Sequence, residues 1–120
     1  MIAAVVTDMI FGSRITATAR AAQVTVRIAG RLESLAGLLA QGDLTLLIVD
    51  MEGPDAQAAV RLAAETVPRP RIVAYFPHIQ TELSQMAGEA GADTVLPRSV
   101  FVQQLPELLR SFGQASVVKK

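Results

Sequence analysis

The chain has 120 residues, enough for one domain with a core that needs no covalent staples. Eleven basic and eleven acidic side chains leave no formal net charge, which argues against a nucleic-acid or anionic-membrane surface. With no cysteine and a single histidine, disulfides, thiolate metal sites and multi-histidine metal sites are excluded.

The composition is nonetheless apolar, 51% hydrophobic with a mean hydropathy of +0.38. No apolar run approaches the ~20 residues a membrane helix needs. The opening MIAAVVTDMIF lacks a basic start and a small-residue cleavage site, so it does not read as a signal peptide. Strands covered on both faces account for the apolarity, and the expected localisation is cytoplasmic. Lys119-Lys120, the only basic cluster, reads as a solubilising tail.

Residues 2–6 (IAAVV) form a first expected strand, ending at Thr7-Asp8. Gly12-Ser13 follows, then a helix over 13–22 with Ile15, Ala19 and Ala22 at helical spacing. Residues 24–28 (VTVRI) alternate as an edge strand does, with Thr25 and Arg27 on one face. In 31–41, Leu32, Leu35 and Leu39 share a helical face, and Gly42 is a natural stop.

The third strand, 46–49 (LLIV), is an unbroken aliphatic run of the kind buried on both faces of a parallel sheet. It ends in Asp50, and the chain breaks at Gly53-Pro54. Asp55 is the expected N-cap of a helix through Thr66, which Pro68-Arg69-Pro70 ends. Residues 72–76 (IVAYF) are the fourth strand, closed by Pro77-His78. Thr81 caps a fourth helix with Leu83, Met86 and Ala87 inward, and Gly91 stops it. Residues 93–96 (DTVL) are the fifth strand. The last helix lies within 100–112, and because proline suits a first turn, Pro106 predicts a regular start near Gln103 or Gln104.

Five strands alternating with five helices predict an α/β domain: a five-stranded parallel sheet in a three-layer α/β/α arrangement, spanning residues 1–120 with its core in 1–112. Loops after strands one, three, four and five meet at one sheet edge, where open α/β sheets bind their ligands. They carry Thr7 and Asp8, Asp50 and Glu52, residues 76–78, and residues 97–99. No glycine-rich phosphate cradle follows the first strand, so nucleotide binding is not expected. Asp8 and Asp50 could together hold one hard cation such as Mg²⁺ with a backbone carbonyl and water.

Each of these residues also has a plainer reading. Asp8 divides between metal ligand and N-cap or loop acid. Asp50 divides between reactive acceptor and a carboxylate that pairs with Arg98 or caps its own loop. His78, with no second ligand beside it, is more often a loop histidine than a base. Tyr75 is core by default, and Glu107 with Arg110 reads as a solvated pair of little energetic weight.

Val5-Val6-Thr7-Asp8, the stretch from Ile48 through Asp50 to Pro54, Gly91-Ala92-Asp93 and Arg98-Ser99 together resemble the receiver domain of bacterial two-component response regulators. The resemblance covers Met1 to Phe112 and implies the flavodoxin-like (βα)5 architecture. It places the phosphoacceptor on Asp50 and a metal on Asp8, Asp50 and the backbone carbonyl of Glu52. It also implies departures. The first acid of the family's pair falls on Thr7, and the switch threonine or serine falls on Phe76, with Pro77 after it. The lysine falls on Arg98, followed by Ser99 in place of proline, and the mobile aromatic of strand five falls on Val95.

Phe76 brings no hydroxyl to a phosphoryl group and is expected to crowd it, and a guanidinium does not replace a compact ammonium in a tight site. The resemblance therefore implies a pseudo-receiver: a signalling module, not an enzyme, acting through protein–protein contact without a phosphorylation switch. Its implied partners are a kinase, output or scaffold protein, or a second copy of the chain. The implied contact face is helix four, strand five and helix five, with Phe76, Val95, Arg98, Phe101 and Val102. A phospho-accepting receiver with Mg²⁺ on Asp8 and Asp50 is the alternative, and a small flavodoxin-like enzyme or cofactor binder the third reading.

Overall fold

The computed structural model describes residues 1–76 and 81–113, so Pro77, His78 and the Lys119-Lys120 tail lie outside the described residues, as do the side chains of Thr81 and Leu83. In chain order it contains β1 (Ile2–Val5), α1 (Met9–Ala21), β2 (Val26–Ala29), α2 (Leu32–Ala40), β3 (Leu46–Asp50), α3 (Ala56–Ala64), β4 (Arg71–Phe76), α4 (Thr81–Ala90), β5 (Thr94–Pro97) and α5 (Arg98–Gly113). The five strands form one parallel sheet in the order β2-β1-β3-β4-β5. β3 is central and every residue in it is buried, as its unbroken aliphatic run predicts.

Alternation along β3 and β4 divides the core in two. Leu47, Val49, Ala74 and Phe76 join buried residues of α2, α3 and α4, including Leu35, Val60 and Ala87. Leu46, Ile48, Val73 and Tyr75 join Phe11 and Ile15 of α1 and Phe101, Leu105 and Leu109 of α5 on the opposite face. Chain order and strand order reverse between β1 and β3, which opens a crevice beyond their carboxyl ends.

Three element starts differ from the expected ones, each for a local reason. α1 starts at Met9, not Ser13, because Asp8 caps it: one carboxylate oxygen accepts from the N–H groups of Ile10 at 3.0 Å and Phe11 at 3.2 Å. Gly12 is then an interior residue of α1, with no turn to make. β2 starts at Val26 because the end of α1 takes Val24, whose N–H donates to the Ala19 carbonyl at 2.8 Å after Gln23 turns left-handed at φ 61°.

Asp55 occupies the N-cap position of α3, yet its side chain makes no capping bond; only its carbonyl contributes, accepting from Ala59. α5 begins at Arg98, which places Pro106 inside the helix and corrects the expected start near Gln103. Proline in a helix interior costs about 3 kcal/mol. Here the i, i+4, i+8 stripe of Phe101, Leu105 and Leu109 is fully sunk into the core and outweighs it. Glu107 and Arg110 do pair at 3.3 Å on the exposed side of that helix.

Gly91-Ala92-Asp93 closes the sheet at its other end. The Asp93 carboxylate accepts from Arg69 at 2.9 Å and from the Ile72 N–H at 2.8 Å, and Arg69 also donates to the Gly91 carbonyl at 2.7 Å. Partial burial works against the ionised form, but the bonds from Arg69 and Ile72 outweigh it and hold the Asp93 carboxyl below its ordinary value.

Candidate functional site

β3 delivers Asp50 to the carboxyl edge of the sheet, opposite Tyr75 in the β3–β4 register. Asp50 is only 2% exposed, the one buried charged residue among the described residues. One of its oxygens accepts from the Glu52 N–H at 3.0 Å, so the carboxylate caps its own loop. Gly53 lies close beneath: a Cβ there would meet the Asp50 carbonyl oxygen at 3.4 Å and the Thr7 methyl at 3.7 Å. Thr7 thus stands against the β3–α3 loop, and its neighbour Asp8 is committed to α1.

Tyr75 is fully buried on the face of the sheet that Asp50 shares, and among the described residues its hydroxyl has no hydrogen-bond partner of good geometry, with the Asp50 carboxylate its nearest acidic neighbour. Burial and the adjacent Asp50 charge push that hydroxyl far above its ordinary ionisation range, so it stays protonated. Around it Phe11, Tyr75 and Phe101 form an aromatic cluster: Tyr75 and Phe101 stack at 4.6 Å, and Phe11 tilts against Tyr75 at 5.1 Å. Arg98 lies over this cluster, its guanidinium carbon 4.7 Å from the Phe11 ring centre and 5.9 Å from that of Tyr75.

Of the two plainer readings of Asp50, the loop cap is therefore present and the ion pair with Arg98 is not. Among the described residues the side-chain ion pairs are Arg69–Asp93 and Arg110–Glu107, and the Arg98 Nε is buried without a partner. Arg98 acts on Asp50 at longer range only. Burial raises the Asp50 carboxyl above its ordinary value, with the Glu52 N–H and then the Arg98 charge opposing and the charges of Glu52 and Asp8 adding to the rise.

A raised folded-state value has a definite sign. Below the ordinary carboxylate range Asp50 is protonated in both states and costs nothing. As pH rises through that range the unfolded chain releases its proton first, and the folded state loses stability until its own carboxyl ionises. Asp50→Asn keeps the shape and the acceptor oxygen but removes the charge. It is expected to stabilise the domain by about 1 kcal/mol at neutral pH, raising Tm by about 4 °C. Thermal melts from about pH 3 to about pH 8 should show the gain shrink toward the acid end.

Phe76, expected to crowd the space over Asp50, lies on the other face, packed in the cluster of α2, α3 and α4. The aromatic on the Asp50 face is Tyr75, one residue earlier. Phe76 and Phe101 are also buried, at 5% and 0% exposure, so neither presents a side chain on the expected contact face. Val95, Arg98 and Val102 are half-buried, but Arg98 and Val102 line a cleft between α5 and α1 rather than the expected face, and Val95 packs against the cluster of α2, α3 and α4. Phe11 carried no signal in the sequence, because the expected helix began only at Ser13 and left Phe11 in a loop.

A five-stranded parallel sheet in this order, with an acidic residue at the end of its central strand, is the flavodoxin-like fold of response-regulator receiver domains. No family model and no characterised protein matches the sequence. Solved structures match the fold. The receiver domain of a Saccharomyces cerevisiae response regulator, solved with a histidine phosphotransfer protein, superposes with a TM-score of 0.79 at 14% identity over 99% of this chain and 92% of that one. A Burkholderia pseudomallei response regulator with a phosphorylated aspartic acid and a calcium ion gives 0.76 at 17% identity, over 98% of this chain and 69% of that one. An atypical orphan response regulator with a phosphorylation-independent regulatory mechanism gives 0.72 at 17% identity, over 93% and 97%. Among the described residues no helix is long and apolar enough to cross a membrane.

Proposed function

We propose that this domain is a receiver-like signalling module that works through protein contacts and without a phosphorylation switch. One observation carries the reading: Asp50 is buried beside Tyr75 with an oxygen already bonded to the Glu52 N–H, while Arg98 is stacked on Phe11 rather than turned to Asp50. A phosphoryl group on Asp50 would add charge where a carboxylate is already disfavoured, and no hydroxyl from Phe76 would receive it. The half-buried Val95 lies on β5 and the half-buried Arg98 and Val102 on the α1-facing side of α5, surfaces that a protein partner or a second copy of the chain would meet.

Mg²⁺ fits the available donors poorly. Asp8 already gives one oxygen to two helix N–H groups, and Asp50 gives one to its own loop. Hard dications take six or more oxygens with little competition for them. Incubation with acetyl phosphate and Mg²⁺ is expected to leave the intact mass unchanged. A gain of one phosphoryl group that disappears in Asp50→Asn would overturn this reading.

The phospho-accepting alternative rests on the placement of Asp50 at the end of β3 and on Asp8 near enough for its charge to reach it. On that reading Asp8, Asp50 and the Glu52 carbonyl hold Mg²⁺ and Arg98 leaves Phe11 to meet the phosphoryl group. It predicts the adduct that the first reading forbids.

A further inference from the structure

Beside the Asp50 edge, α1 and α5 leave a cleft of about 660 Å³ between their first turns. Asp50 does not line it. Its volume lies within the about 300–1,000 Å³ of small-molecule sites. The apolar lining comes from Ile10, Phe11 and Val102, and the polar lining from Asp8, Arg14, Arg98, Ser99 and Gln103. Ile10 is 85% exposed, an unusual position for a large aliphatic side chain and one that leaves an apolar wall open to solvent.

The charges in the cleft do not cancel. Two guanidiniums face one carboxylate, and the Asp8 carboxylate is turned to the N–H groups of Ile10 and Phe11, away from either arginine as a bonding partner. Neither Arg14 nor Arg98 makes an ion pair among the described residues. Arg98 is also held in place by its stacking on Phe11, so its guanidinium is pre-oriented at little further entropic cost. A flat, partly desolvated guanidinium with unmet donors is a carboxylate, sulfonate or phosphate receptor.

From this we infer that the α1–α5 cleft binds a small amphipathic organic anion. Its acidic group sits between Arg14 and Arg98 and accepts from Ser99, and its apolar body lies against Ile10, Phe11 and Val102. Because Arg98 bridges this cleft and the aromatic cluster over Asp50, an occupant supplies an input to the domain that does not pass through phosphorylation.

The probe is 8-anilinonaphthalene-1-sulfonate, an aromatic sulfonate whose fluorescence rises on transfer to an apolar surface. Titration into the intact protein is expected to give saturable one-to-one binding, with amide shifts in ¹⁵N spectra confined to the first turns of α1 and α5. Arg14→Gln, an exposed change outside the core, and Arg98→Gln are each expected to weaken binding about tenfold, one charged contact being worth about 1.4 kcal/mol. Inorganic phosphate, which has the charge but no apolar body, should displace the probe only at far higher concentration. Equal binding by Arg14→Gln at unchanged Tm, shifts centred on another face, or phosphate as tight as the sulfonate would each overturn the proposal.

Discussion

Phe101→Ala is expected to destabilise the domain by about 4 kcal/mol, the usual size for emptying a buried aromatic site. Phe101 has no exposed surface, stacks on Tyr75 at 4.6 Å, and lies 6.1 Å from Phe11. Its removal takes away transfer energy and leaves a void between α1, α5 and the sheet. That void cannot close readily, because Ile15, Ile48 and Leu105 are locked in the same cluster. Since domains of this size have only about 5–15 kcal/mol of total stability, the loss should move the urea midpoint substantially without changing the slope.

The same variant decides what Phe101 is for. A contact-face residue could be truncated with the fold intact and partner binding reduced. A core residue cannot, so a Phe101→Ala protein within about 1 kcal/mol of wild type would contradict the packing described here. Val102, the half-buried neighbour one residue on, supplies the comparison: Val102→Ala should leave stability nearly unchanged and act, if anywhere, on the α1–α5 cleft. Arg98 should loosen in Phe101→Ala as well, since the rings beneath it lose their support.

That distinction between face and core marks the limit of what the sequence made legible. β3 stood out because an unbroken aliphatic run leaves no other place for it than the middle of a parallel sheet. The convergence of Asp8, Asp50 and Arg98 at one edge followed from chain order alone. What the sequence did not reveal was direction. Which of Tyr75 and Phe76 shares a face with Asp50 depends on the pairing of Asp50 with Tyr75, and a register is a property of two strands together. Helix starts were similarly hidden. Gly12 and Pro106 look like punctuation, yet Asp8 capping and the Phe101-Leu105-Leu109 stripe override both. The stacking of Arg98 on Phe11 required all of these at once.

Gly91→Ala is the second large effect, expected to cost about 3 kcal/mol in equilibrium unfolding. Gly91 ends α4 with φ at +119°, and a Cβ there would stand 2.7 Å from the Cβ of Ala64 at the end of α3. Backbone strain and a clash between two helix ends add, and neither atom is the tip of a side chain that can swing away. Gly88→Ala, three residues earlier in the same helix, should do the opposite and stabilise by roughly 0.5–1 kcal/mol, since among the described residues nothing lies within 4 Å of the added methyl. If Gly91→Ala unfolds at the wild-type midpoint, α3 and α4 do not pack as closely as described. Together with the Asp93 clamp on Arg69 and Ile72, this gives Gly91-Ala92-Asp93 a role in closing the scaffold, at the opposite end of β4 from Asp50. A motif that resembles the receiver family therefore reports how the helices and strands lock, and carries no information about the opposite end of the sheet, where Asp50, Tyr75 and Arg98 lie.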